Sequence, residues 1–121
     1  MIACQSDMTV IAMATNGQEA IERYCQHLPD ITLMDICLPI LSGLEAIREI
    51  RVTHPNARMI VVTTFDDDEV LFAAFEIGVE GFLLKDMLRK ELLPAIRTVH
   101  CGQRYFPTVI ASRLTTRTPK Y

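Results

Sequence analysis

The 121-residue chain has no apolar run near the roughly 20 residues that a helix needs to cross a bilayer, so a membrane span is not expected. Its opening, MIACQSDM, lacks the basic flank and long apolar stretch of a secretory signal. No CxxC pair joins any of its four cysteines, Cys4, Cys25, Cys37 and Cys101. Free, mostly buried thiols in a reducing cytoplasm are the economical expectation. Positive charge is not in excess: 12 Lys+Arg against 15 Asp+Glu leave a net charge of −3. The total therefore gives no sign of a basic surface for gripping phosphate backbones. No Gly-x-Gly-x-x-Gly follows any apolar run, which sets aside a dinucleotide-binding enzyme. Internal repeats are absent as well. What is present is a chain half apolar and 22% charged, enough for one sizeable core and too short for two domains. A soluble, cytoplasmic, single-domain protein is the expectation.

Short β-branched runs alternate with amphipathic stretches. Met8–Ala14 (MTVIAMA) reads as a strand, and Thr15 to Glu19 as a turn and helix cap. Ala20, Ile21, Tyr24, Cys25 and Leu28 follow at helical spacing, and Pro29-Asp30 stops the helix. Ile31–Asp35 (ITLMD) is a continuous apolar run ending in a carboxylate, as a strand covered on both faces would be. Ser42-Gly43-Leu44-Glu45 is a capping box, and Leu44, Ile47 and Ile50 form the buried stripe of the helix it starts. His54-Pro55-Asn56 breaks that helix. Arg58–Thr64 is a third strand, about Asp67 to Ile77 a helix ended by Gly78, and Gly81–Lys85 a fourth strand. Arg89–Cys101 is a helix with Leu92, Leu93, Ile96 and Val99 inward and with Pro94 inside it, where one hydrogen bond is lost. Val109, Ile110 and Leu114 indicate one more short helix in a tail carrying Arg104, Arg113, Arg117 and Lys120 and no acid. That tail reads as a solvated connector. Strands alternating with helices of this length point to βα units and a parallel α/β sheet.

In an open α/β sheet, ligands bind beyond the carboxyl ends of the strands. Asp35, Thr63 (with Thr64 beside it) and Lys85 each close a different strand there. Taken singly they are a turn residue, a β-former and a snorkelling lysine. Together, a carboxylate nucleophile, a hydroxyl donor and a charge-neutralising ammonium make a phosphoryl site.

These residues lie in ITLMD35ICLP39, SG43LEAIREIR, MIVVT63TFDDDE and G78VEGF82LLK85D. In that order and spacing the chain resembles, from Met8 to Leu114, the receiver domain of two-component response regulators, closest to the NarL/FixJ (LuxR-type) subfamily. The resemblance implies a flavodoxin-like parallel sheet with helices on both faces. It implies that Asp35 accepts a phosphoryl group from a sensor histidine kinase, that Thr63 and Phe82 form a switch pair, and that Lys85 ion-pairs with the phosphoryl group. It also implies Mg2+, held by Asp35 and the main-chain carbonyl of Cys37. A homodimer through the last long helix and the Asp67–Ile77 helix is implied, with DNA contact only through a LuxR-type domain that this chain does not contain. On this reading residues 1–114 are the receiver, incomplete at its N-terminus, and 115–121 start a linker.

The chain departs from the family pattern at its opening. The first strand, its adjacent acidic pair and most of the first helix are missing, since Asp7, Glu19 and Glu22 follow no strand. The expected Mg2+ site is therefore incomplete and weak or empty, and phosphorylation slow or absent. In the family order 2-1-3-4-5 the missing strand is central, so a rearranged or strand-exchanged sheet is expected. The rival reading is a non-phosphorylatable pseudo-receiver that acts only as an interaction or dimerisation module, and neither reading makes the chain an enzyme. A haloacid-dehalogenase-type hydrolase needs an acid two residues beyond the nucleophile, where Cys37 stands.

Other features have plainer readings. Asp66 to Glu69 read as a dipole-favoured helix start with Asp66 capping, and Cys37 as a small apolar filler. His27, His54 and His100 read as surface residues near helix ends. Val70, Phe72, Ala73, Phe75 and Ile77 read first as core and second as a partner-binding face.

Overall fold

The computed structural model describes Ile2 and residues 5–36, 42–64 and 68–116. Helices α1 (Gly17–His27), α2 (Gly43–Thr53), α3 (Asp68–Ile77), α4 (Leu88–His100) and α5 (Thr108–Thr116) surround strands β1 (Thr32–Asp35), β2 (Met59–Thr63) and β3 (Gly81–Leu84). A single 3-10 turn, Lys85–Met87, joins β3 to α4. The three strands form one parallel sheet in the order β1-β2-β3, with Thr32 opposite Met59 and Ile60 opposite Gly81. Helices lie on both faces, and the architecture is the flavodoxin-like one expected.

The caps are those the sequence spells out. Asn16 Oδ1 accepts the Glu19 amide at 2.8 Å, and Glu19 Oε1 reaches back to the Thr15 amide at 3.0 Å, which satisfies two orphan donors of α1. At α2, Ser42 Oγ accepts from the Glu45 amide and donates to Glu45 Oε1 at 3.0 Å. β2 is buried at every position, and its alternation feeds two cores. Met59 and Val61 pack with Tyr24, Ile47, Ile50, Leu71, Phe82 and Ile110, under α1, α2, α3 and α5. Ile60 packs on the opposite face with Leu83, Leu92, Ala95 and Val99, under α4.

Three expectations are corrected. Met8–Ala14 is not a strand: a strand needs a neighbour for its N–H and C=O groups, and among the described residues none pairs with this segment. On α3 the fully covered residues are Leu71 and Ala74, with Val70 and Ile77 only partly buried and Phe75 41% exposed. The helix is more apolar than its one covered face requires. Finally, Cys25 and Cys101 are free but exposed: Cys25 falls on an outward position of α1, and Cys101 is the C-cap that follows α4. Cys4 and Cys37 lie outside the described residues, as do Asp66 and Asp67.

Candidate functional site

Sheet register gathers the three polar side chains at one edge. Asp35, the last residue of β1, is opposite Val62, and Thr63 is opposite Leu84, the residue before Lys85. All three strands are parallel, so their carboxyl ends share one side of the sheet. Lys85 Nζ sits 2.7 Å from Asp35 Oδ2, with the two side chains 43% and 33% exposed. That is a charge-assisted contact at the protein surface, open to an incoming group. Thr63 is fully buried, and Phe82, on β3, is 1% exposed and part of the core. The ring already lies inward, behind the strand ends.

Gly43 closes the other side of the site. A Cβ there would stand 2.3 Å from the Asp35 carbonyl oxygen and 2.9 Å from Ile36 Cα, so only glycine lets α2 start this close to the Asp35 backbone. The Gly43 amide donates to the Ile36 carbonyl at 3.1 Å, which ties the start of α2 to the end of the Asp35 turn. The sequence marks this residue as the first of a capped helix, but its close approach to Asp35 is legible only in three dimensions. Arg51 and Glu80 likewise carry no local signal in the sequence. Arg51 binds the Ile77, Gly78 and Ala57 carbonyls and Glu80 Oε1, and so locks α2 to the turn that feeds β3.

Magnesium fits these residues poorly. The described strand ends bring one carboxylate, Asp35, and a lysine ammonium already rests on it. Among the described residues no group of three His, Cys, Asp or Glu side chains could hold an ion. The Cys37 carbonyl lies outside them. An open groove of about 470 Å³ between α2 and α3, lined by Arg48, Arg51, Val52, Ala73, Glu76 and Ile77, is at the far end of α2 from Asp35 and takes no part in the site. At the N-terminus, Arg97 donates to Asp7 at 3.1 Å, and this hydrogen bond holds the Asp7 carboxyl below its ordinary range.

The profile of the response regulator receiver domain family matches residues 1–97. The chain is 40% identical over 118 residues to an uncharacterized transcriptional regulatory protein, YxjL, of Bacillus subtilis, covering 98% of this chain and 54% of that one. It is 36% identical over 111 residues to the oxygen regulatory protein NreC of Staphylococcus epidermidis, covering 91% and 51%. The chain thus spans about half the length of these relatives. Among solved structures, it is similar to a LuxR-family two-component response regulator from Aurantimonas, with TM-score 0.86, 32% identity, and coverage of 92% of this chain and 79% of that one. The response regulator domain of Thermotoga maritima CheB matches with TM-score 0.76 and 31% identity, covering 83% and 82%.

Proposed function

This chain belongs to the response regulator receiver domain family, and on that premise we propose that Asp35 takes a phosphoryl group from a sensor histidine kinase. The family is one of signalling receivers rather than classical enzymes. One observation carries the proposal: the 2.7 Å contact between Asp35 and Lys85 at the carboxyl edge of the sheet. In the transfer, an Asp35 carboxylate oxygen attacks phosphorus, the P–N bond of the kinase's phosphohistidine breaks, and the electron pair leaves with the imidazole nitrogen. Lys85, already paired to the carboxylate, neutralises charge on the phosphoryl oxygens. Thr63, at the neighbouring strand end, donates its hydroxyl to one of them, and Phe82 packs behind it as the other half of the switch. Magnesium, when bound, would supply charge neutralisation in the family's chemistry; the described strand ends offer it one carboxylate, Asp35.

The downstream reading follows the same premise. The receiver serves a cytoplasmic transcription regulator and pairs with a second copy through the faces of α3 and α4. It reaches DNA only through a LuxR-type domain beyond this chain. No helix among the described residues is long and apolar enough to cross a membrane. The single-carboxylate donor set favours a second reading, a receiver-shaped interaction module that takes no phosphoryl group.

Intact mass after incubation with acetyl phosphate and magnesium separates the two. A slow gain of one phosphoryl group, lost in Asp35→Asn, is the expected outcome. No gain in a protein folded by circular dichroism would overturn the phosphoacceptor reading in favour of the interaction module.

A further inference from the structure

The family profile ends at residue 97, yet the chain beyond α4 is built into the fold. Gly102, at φ 92°, turns the chain out of α4, and Tyr105 then runs beside β3 in a parallel bridge with Gly81. Tyr105 N–H donates to Glu80 O at 2.8 Å, and Phe82 N–H donates to Tyr105 O at 3.2 Å. Successive side chains of this extended segment part to opposite faces of the sheet. Tyr105 packs against the core of Ile60, Leu83 and Leu92, and its hydroxyl donates to Glu91 on α4. Phe106 packs against the other core and meets Phe75 of α3 edge to face at 5.7 Å.

Pro107 then opens α5, its carbonyl accepting the Ile110 and Ala111 amides at 2.8 Å each. Ile110 enters the core that contains Leu71 and Phe82 and is fully buried there, whereas Val109 beside it is 55% exposed. Arg113 Nε, further along α5, lies 2.8 Å from Asp68 Oδ1 in the first turn of α3. The charge of this tail predicts a solvated connector; the structure makes it a strap over β3 and α3. Phe82 is held by it twice, through its amide and through the core around its ring, which is 1% exposed.

We propose that residues 104–113 are a strap that holds the Phe82 ring in its buried setting, so that docking of α5 and the position of the ring are one equilibrium. The proposal rests on the reading of Thr63 and Phe82 as a switch pair. Ile110 and Tyr105 are positioning residues, acting through Phe82 rather than on Asp35. When Ile110 leaves, the close-packed core of the ring has a void, which is relieved by neighbours moving or by opening to solvent. Linkage makes the effect reciprocal: whatever draws the ring inward tightens α5, and whatever lifts α5 frees the ring.

The test is fluorine NMR of the full chain labelled with 4-fluorophenylalanine, the Phe82 line being the one absent from Phe82→Leu. The parent chain should give one Phe82 line that does not shift between H2O and D2O, as a ring closed to solvent does. Ile110→Ala should move or split that line and give it a solvent shift. The Phe82 amide should then exchange about tenfold or more faster relative to the amides of β2. Ile110→Val, a smaller loss in a chain that keeps its fold, should show the same change in lesser degree. Val99→Ala opens a void in the opposite core, under α4, and should leave the line in place. A Phe82 line and amide unchanged in both Ile110 variants would overturn the proposal. So would a Val99→Ala chain in which the ring loosens as much. The switch reading is checked separately, by the response of the same line to acetyl phosphate and magnesium, because the strap holds the ring whether or not Asp35 is modified.

Discussion

Leu28 is the one non-glycine residue with a positive φ among those described, at φ 47° and ψ 59°. It caps α1, and its amide donates to the Tyr24 carbonyl at 2.8 Å. Pro29 disfavours a right-handed helical conformation at the residue before it, which is how the Pro29-Asp30 stop acts. The left-handed turn serves the cap, at a cost of about 1–2 kcal/mol for a residue bearing a Cβ. Since the Leu28 side chain is 58% exposed, Leu28→Gly should raise stability by about 0.5–1 kcal/mol in urea denaturation. Tyr105 shows the opposite balance. Burial, and then its hydrogen bond to Glu91, push the phenol up to about 12 from an ordinary 10.0. The folded chain holds this proton more tightly than the unfolded one. Its contribution is therefore complete below about pH 10 and lost as pH rises from 10 towards 12. Stability measured across that window should fall less steeply for Tyr105→Phe than for the parent chain.

At the scale of elements, α5 shows how little surface can seat a helix. Ile110 is fully buried beside Phe82 and Leu71, whereas Val109, its neighbour, is 55% exposed. Phe106 meets Phe75 edge to face at 5.7 Å, Arg104 lies 5.5 Å over the Phe75 ring, and Arg113 Nε is 2.8 Å from Asp68 Oδ1 in the first turn of α3. Of these, the buried aliphatic anchor outweighs the exposed ion pair, since exposed pairs contribute about 0–1 kcal/mol. Ile110→Ala should therefore cost about 2–4 kcal/mol. In hydrogen exchange, α5 amides should lose protection well before those of β2, because α5 is joined to the core through few contacts.

For the whole molecule, the sheet is the organising layer. β2 divides its side chains between two cores, and Arg51 ties helix, turn and strand together, with Glu80 Oε1 also accepting the Met59 amide at 2.8 Å. The Asp35–Lys85 site is a product of this layer: parallel register sets both strand ends on one side, and Gly43 admits α2 against the Asp35 backbone. Beyond β3, the Tyr105 segment bridges to Gly81 at the edge of this sheet.

Features that depend on local pattern are legible in consecutive residues. Alternating runs marked ITLMD, MIVVT and GFLL as strands, the Asn16 and Ser42 caps marked the starts of α1 and α2, and Asp35, Thr63 and Lys85 stood at strand ends before any contact was known. Features that depend on neighbours in space are set by the folded chain. Met8–Ala14 has the composition of a strand, but composition cannot supply the partner whose N–H and C=O groups make one. The apolar residues of α3 satisfy helical spacing in more than one direction, and the covered pair, Leu71 and Ala74, was chosen by where α3 rests on the sheet. Tyr105 and Arg51 lack any local signature, since Glu91 lies 14 residues from Tyr105 and Glu80 lies 29 from Arg51 along the chain. Periodicity and capping are written in consecutive residues; pairing and burial are properties of surfaces that exist only once the chain has folded.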